Sequence, residues 1–390
     1  MTTATSYQDL SRYIAIPSVA DSPAAKQAAL WLTKYLRPLA ARVEMIGDHH
    51  SIIVATIAGK TDRCLAYYGH YDVQSASGSG WSTPPFDPMI INQRIYGRGA
   101  SDNKGQYLAL LAALRHLKED GEKPHHTVKL IIEGEEEIGS PQLIKFCQQK
   151  SPVLQADDYL IVDGTSEIDS GPTIYTETRG VVFSRICLNN GQGDQHSGTH
   201  SSNVNPIHVL AAIVADLERN APNIITELRH GQSDQLSWSF DTCYVQSGGD
   251  PAKSIIPGCA EAVLSIRLRP GQSALLVNEQ LRAYVNKCGN DHHLAAEYEL
   301  KVLAEPTQSH NPELLKQFRK ACQWQNMAYQ VGSLRSSIPI ASVIQQMYGK
   351  DPLILAWGSA RDNPHGCNES FLLVSFQQSQ QLFRQILRTI

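Results

Sequence analysis

The chain has 390 residues, 42% of them apolar and 18% charged, which is enough for two or three domains with buried cores. Its 34 basic and 38 acidic side chains give a net charge of −4 with no basic block, so the electrostatic footprint of a nucleic-acid binder is missing. No apolar run approaches the roughly 20 residues that span a bilayer, and the eight cysteines form no CxxC pair, which points to reduced thiols rather than a disulfide or zinc–cysteine framework. Residues 1–36 are polar and amphipathic, without the basic-then-apolar order of a secretory leader, so the cytoplasm is the expected compartment. Neither nucleic acid nor a membrane is expected as a partner.

Leu30, Trp31, Tyr35 and Leu36 recur at helical spacing behind Ser22 and Pro23; they predict a helix over 24–38, with those two residues as N-cap and first helical position. Short apolar runs predict strands at 52–57, 64–68, 128–132 and 159–162, and helical periodicity predicts helices at 106–117 and 141–147. Strands alternating with helices imply a mostly parallel sheet covered on both faces. Between about 180 and 303 the rhythm changes to strand 181–188, helix 206–217, strands 236–246 and 260–267, helix 274–285 and strand 294–303. That order is the ferredoxin-like pattern. A helix at 312–327 and a strand at 352–357 then restore the first rhythm. The predicted fold class is therefore α/β, with a discontinuous domain (1–179 and 304–390) split by an inserted α+β domain (180–303).

The chemistry lies where apolar runs end. CLAYYG leads to His70 and Asp72, VKLIIEG to Glu135, Glu136 and Glu137, DYLIV to Asp163, and LILAWGS to Arg361, Asp362 and His365. In an open parallel sheet the ligand crevice lies outside the carboxyl ends of the strands. Asp102, just before the 106–117 helix, falls on the same rim. Taken singly, these residues have ordinary readings as a polar strand end, a solvated acidic triplet, turn residues or a helix N-cap. Their coincidence on one rim points to a metal centre. Two imidazoles with several carboxylates and no thiolate suit Zn²⁺, with Mn²⁺ or Co²⁺ as alternatives.

The segments GHYDVQ (69–74), WSTPPFDP (81–88), RIYGRGASDNKG (94–105), EGEEEIGS (133–140), QHSG (195–198), SIRLRP (265–270), SSIPIA (336–341) and GSARDNPHGCNES (358–370) occur together and in order. In them the chain resembles the M20 metallopeptidases, and within these the carnosinase-like cytosolic dipeptidases. The resemblance implies a split α/β catalytic domain bearing two divalent metal ions, and a ferredoxin-like lid through which subunits form a homodimer. It casts Asp102 as the carboxylate bridging both metals, with His70 and Asp163 completing one site and Glu137 and His365 the other. Asp72 orients His70, and Glu136 is the general base. A cis peptide links Asp102 to Asn103. His196 meets the developing oxyanion from the neighbouring subunit, and Arg267, with Ser254 in AKSIIP and Ser337, surrounds the substrate carboxylate.

The implied reaction is hydrolysis of the amide bond of dipeptides or short peptides with a free C-terminal carboxylate, by metal-activated water. Two departures stand out. Arg335 and Ser336 occupy positions where dipeptidase relatives usually carry two glycines that let backbone approach the substrate carboxylate; KVLAEPT (301–307) lacks the histidine of carnosinase-like sequences, so the resemblance does not imply preference for a carnosine-type dipeptide. An N-acyl-amino-acid deacylase of the same family is the alternative reading. A non-catalytic peptide- or metal-binding protein is a third, and Glu136 beside a complete ligand set argues against it, because holding a metal needs no base.

Overall fold

Unbroken burial along several apolar runs builds the centre of the main sheet. In the computed structural model, which describes residues 3–47, 51–169, 171–198, 204–248 and 254–390, the strand Thr61–His70 buries its last six residues. Asp158–Ile161 and Leu353–Ala356 are buried throughout, as are the last four residues of His126–Glu133. Strands covered on both faces lose the apolar–polar alternation, which is why these runs are continuous. The sheet runs Arg42–Ile46, Ile52–Ile57, His126–Glu133, Thr61–His70, Asp158–Ile161, Leu353–Ala356, Thr173–Thr178. Its four central strands are parallel, and antiparallel strands flank them on both sides. His70 pairs with Glu133, Tyr68 with Ile161, and Ile161 with Ile354, so the carboxyl ends of the parallel strands lie level. The fold is mixed α/β, with a parallel sheet centre and covering helices. The helix Lys104–Glu119 buries every residue from Lys104 to Leu114 and packs against Leu373–Thr389, sharing one core with Phe376, Phe383 and Leu387.

The chain divides into two compact units: Met1–Thr176, Ser309–Gly332 and Val343–Ile390 form one, and Glu177–Gln308 with Ser333–Ser342 forms the other. The second holds a four-stranded antiparallel sheet in the order Ser239–Ser247, Cys259–Leu268, Gly180–Asn189, Ala295–Ala304. With the helices Pro206–Ile224 and Ala274–Asp291 it has the strand–helix–strand–strand–helix–strand order of a ferredoxin-like fold. Its core joins Val182, Ile186 and Leu188 to Val209, Ile213 and Leu217 of one helix and Val277, Leu281 and Val285 of the other. Side-chain caps start both helices: Asn205 accepts from the Ile207 N–H, with Pro206 at the first helical position, and Ser273 accepts from the Leu276 N–H.

Several elements differ from the sequence reading. The first predicted helix begins at Ala25, with Ala24 rather than Ser22 at the cap position and no side-chain cap; a turn bonding the Ala25 N–H to the Ser22 carbonyl precedes it. A helix at Thr3–Ile14, another at Pro339–Tyr348, the C-terminal helix Leu373–Thr389 and the hairpin Met89–Ile91 with Arg94–Tyr96 were not predicted. Ala252 and Lys253 of the AKSIIP segment lie outside the described residues.

Candidate metal centre

His70 closes the longest central strand and is fully buried. Its Nδ1 donates to the Asp72 main-chain oxygen at 3.1 Å and lies 3.3 Å from Asp72 Oδ1. That fixes the ring and turns Nε2 toward Asp102 Oδ1 at 3.1 Å and Asp163 Oδ2 at 3.9 Å. Asp72, likewise fully buried, uses Oδ2 to accept the Glu137 N–H at 2.9 Å. One carboxylate therefore touches a ring on one side of the centre and the backbone of a donor on the other.

Asp102 stands in the loop between Tyr96 and the Lys104 helix. Glu369 holds that loop: one carboxylate oxygen accepts from the Ser101 and Asp102 N–H groups at 3.0 Å each, and the other accepts from the Gly99 N–H at 2.9 Å and from Arg98 Nη1 at 2.8 Å. The Asp102–Asn103 peptide is cis. Asn103 Nδ2 donates to the Val162 carbonyl and to Asp163 Oδ1, and the Gly164 N–H also bonds to Oδ1, so Asp163 presents its Oδ2 inward. His365 lies in the loop after the turn Ala360–Asp362 and adopts a left-handed backbone, φ 62°, a conformation in which histidine is enriched. Its Nε2 is 3.1 Å from Asp102 Oδ2 and 3.2 Å from Glu137 Oε2, and with 56% of its side chain exposed it marks the open side of the centre.

Two donor sets result, His70–Asp102–Asp163 and Asp102–Glu137–His365, with the ligand atoms of each set within 4.8 Å of one another. Asp102 belongs to both. The charges show what is missing. Burial disfavours charge on His70, but its hydrogen bonds to Asp102 and Asp72 outweigh this and hold the ring protonated well above its usual range. His365 is pushed up to about 10 by Asp102 and Glu137. Asp102, despite its burial, is held well below the carboxylate range by the two histidines. Asp163 rises to about 6 through burial and the charge of Asp102. Protons on imidazoles thus stand where a cation would neutralise the carboxylates more completely. Glu137 Oε1 is buried with no hydrogen-bond partner, a cost that ligation removes. The residues fit a pair of divalent cations held by N and O donors.

Glu136 belongs to neither set. It opens the short 3₁₀ turn Glu136–Ile138 and is half-buried. Burial raises its pKa well above the usual range, His70 opposes that rise, and the charges of Asp163, Glu137 and Asp102 reinforce it, so it faces the same centre.

The family model for peptidase family M20/M25/M40 matches residues 66–389. The chain belongs to this family. It is 25% identical over 380 residues to the "Probable di- and tripeptidase DUG2" of Saccharomyces cerevisiae, covering 86% of this chain and 43% of the yeast protein. It is 34% identical over 208 residues to the succinyl-diaminopimelate desuccinylase of Zymomonas mobilis, covering 52% of this chain and 51% of that one. The chain thus spans about half the length of these two relatives. Among solved structures, human carnosine dipeptidase 1 superposes with a TM-score of 0.74 at 23% identity, covering 99% of this chain and 96% of that one.

In this M20 chain the other predicted site residues lie in the second unit. His196 is exposed on the short ladder Gln195–His196 with Ile255–Ile256, and its Nδ1 accepts from the Gly198 N–H at 3.0 Å. Ser254 bonds through its carbonyl to the Ser197 N–H at 2.9 Å, which places it beside His196. Arg267 and Ser337 meet directly, with Arg267 Nη1 donating to Ser337 Oγ at 3.1 Å. Sequence reasoning missed Glu369, Arg98 and Gln74, whose Nε2 donates to Glu137 Oε2 at 3.0 Å. Glu369 sits in the quoted segment 358–370, and a fully buried glutamate acting on main-chain N–H groups leaves no signature in residue type alone.

Proposed function

We propose that the chain hydrolyses the amide bond of dipeptides or short peptides ending in a free carboxylate. The observation that carries this reading is the pair of donor sets sharing Asp102, with Glu136 beside them as a carboxylate outside both. Similarity to a di- and tripeptidase supports the substrate class. His70, Asp102 and Asp163 would hold one divalent ion and Asp102, Glu137 and His365 the other, with Zn²⁺ best matched to the N/O donors. When bound, the ions supply a water of lowered pKa and polarise the scissile carbonyl. Asp72 fixes the His70 ring through Nδ1. Glu136 takes the proton of the attacking water and returns it to the departing amine nitrogen.

The ferredoxin-like insert acts as lid and dimerisation domain, and the segments on either side of it form the catalytic domain. From the insert, His196 donates to the oxyanion of the partner subunit's reaction, and Arg267 and Ser254 of the insert, with Ser337 beyond it, receive the substrate carboxylate. All eight cysteines are free and no helix among the described residues is long and apolar enough to cross a membrane; the thiols fit a reducing compartment, so we place the enzyme in the cytoplasm.

Elemental analysis of active protein should find about two divalent ions per chain, and chelation should abolish hydrolysis until Zn²⁺, Mn²⁺ or Co²⁺ is restored. Active protein free of metal overturns the reading. Glu136→Gln should keep its metal and lose about 10²- to 10⁴-fold in turnover, whereas Glu135→Gln should not. Mixing His196→Ala subunits with Glu136→Gln subunits tests the trans contribution, because only the mixed dimer contains a site with an intact base and an intact histidine. Verified subunit exchange without recovered activity removes His196 from the site. A second reading, N-acyl-amino-acid deacylation, is favoured by the similarity to a desuccinylase. Parallel assays of dipeptides and succinylated amino acids decide between them.

A further inference from the structure

One end of the four-stranded sheet in the second unit gathers three guanidinium groups. Arg179 immediately precedes the strand Gly180–Asn189, and Arg267 is the penultimate residue of Cys259–Leu268, paired with Val181 on one side and Ser239 on the other. Arg335 comes from the segment Ser333–Ser342, which belongs to the same unit. Arg179 Nε donates to the Arg335 main-chain oxygen, and its Nη1 to Ser239 Oγ at 3.3 Å. Arg267 Nη1 donates to Ser337 Oγ, and the Arg335 side chain is exposed.

All of these acceptors are uncharged. Among the described residues no carboxylate comes within 4.0 Å of any of the three arginines. Elsewhere the chain treats its shielded arginines differently: Arg94 pairs with Asp362, Arg98 with Glu369 and Arg115 with Asp9. Burial, and then the charges of Arg267 and Arg335, make Arg179 easier to deprotonate than an ordinary arginine, and Asp241 is the carboxylate that opposes this. Asp241 also acts on Arg267. Three like charges, two of them half-buried, balanced by one distant carboxylate leave a surplus of two positive charges. Such a surplus is costly until an anion occupies it, and guanidinium forks are suited to carboxylates.

We propose that Arg179, Arg267 and Arg335 form a receptor for a dianionic C-terminal residue, taking both the α-carboxylate and the side-chain carboxylate of a terminal glutamate or aspartate. One α-carboxylate satisfies half of the surplus, and an acidic side chain supplies the other half. The inference rests on the peptidase reading for the bond that is cut, and on the arginines alone for what is recognised.

The test compares Ala-Glu with its neutral near-isostere Ala-Gln. In the metal-loaded enzyme, kcat/KM for Ala-Glu should exceed that for Ala-Gln by roughly 10- to 100-fold, the range of a charge-assisted hydrogen bond. Arg335→Ala, a change at an exposed position, should collapse that ratio toward one, and raised salt should shrink it in the wild type. Equal rates for the two dipeptides, or an equal loss for both in the variant, overturn the proposal. Calorimetric binding of free L-glutamate and L-glutamine separates this result from a failure of the peptidase reading. If neither dipeptide is cut but glutamate binds more tightly and loses that advantage in Arg335→Ala, the activity falls and the receptor stands. If glutamate binds no better than glutamine, the receptor falls whatever the enzyme hydrolyses.

Discussion

Glu369 touches no candidate ligand atom, yet it accepts hydrogen bonds from the main chain of Gly99, Ser101 and Asp102 and from Arg98. Glu369→Gln would set an NH₂ group against donors that need an acceptor. The metal affinity should fall about 10- to 100-fold, as for other residues that orient ligands from behind, while the fold persists; an unchanged dissociation constant in chelator competition would show that the loop holds Asp102 without it. Glu133 presents a different case. It is fully buried, accepts from Tyr68 and Ser140 with one oxygen, and leaves the other unpartnered. Burial raises its pKa from 4.5 to about 8. Its folded pKa lies above the unfolded one, so its contribution to stability is complete below pH 4.5 and is lost as pH rises through 8. In chelated protein, Glu133→Gln should flatten that decline and gain roughly a few kcal/mol on wild type at pH 8 relative to pH 5 in urea melts. A parallel decline in both proteins would sink the assignment. At this scale the ligands were legible because their residue types stand at strand ends, where one rim gathers them. Glu369 was not, because its work is done on backbone N–H groups, and the arginine cluster was not, because Arg179 and Arg335 are 156 positions apart.

Helix starts carry stability that single substitutions can measure. Ser273 caps its helix through one bond to the Leu276 N–H. Asn311 caps Pro312–Trp324 through the Leu314 N–H and also donates Nδ2 to Asp158 Oδ1 at 3.0 Å. Ser273→Ala should therefore cost about 1 kcal/mol and Asn311→Ala about 2; equal losses in denaturant melts would mean that the second bond of Asn311 contributes nothing. Elements whose apolar pattern was continuous or regular came through the sequence reading well, with ends that moved by a few residues. The Arg42–Ile46 and Thr173–Thr178 strands and the Met89–Tyr96 hairpin did not, because they are short or mix polar with apolar residues. In Leu373–Thr389 the signal was present in Phe376, Phe383 and Leu387 at helical spacing, interleaved with glutamines that blur the amphipathic contrast.

Every candidate metal ligand lies in the first unit and none in the second. Metal should therefore stabilise one unit only. Calorimetry with and without chelator should show one transition that moves and one that does not, with a shift equivalent to about 2.7 kcal/mol at a hundredfold excess over the dissociation constant. Two transitions moving together would show that the units melt as one. The split arrangement of the first unit also bears on timing during synthesis. His70, Asp102 and Asp163 leave the ribosome early, whereas His365 and the Glu369 that braces the Asp102 loop follow roughly 200 residues later, some 10 to 40 s at ordinary elongation rates. For that interval the growing polypeptide carries one donor set complete and, of the other, Asp102 and Glu137 without His365. The second donor set is therefore completed only once residue 365 has been made.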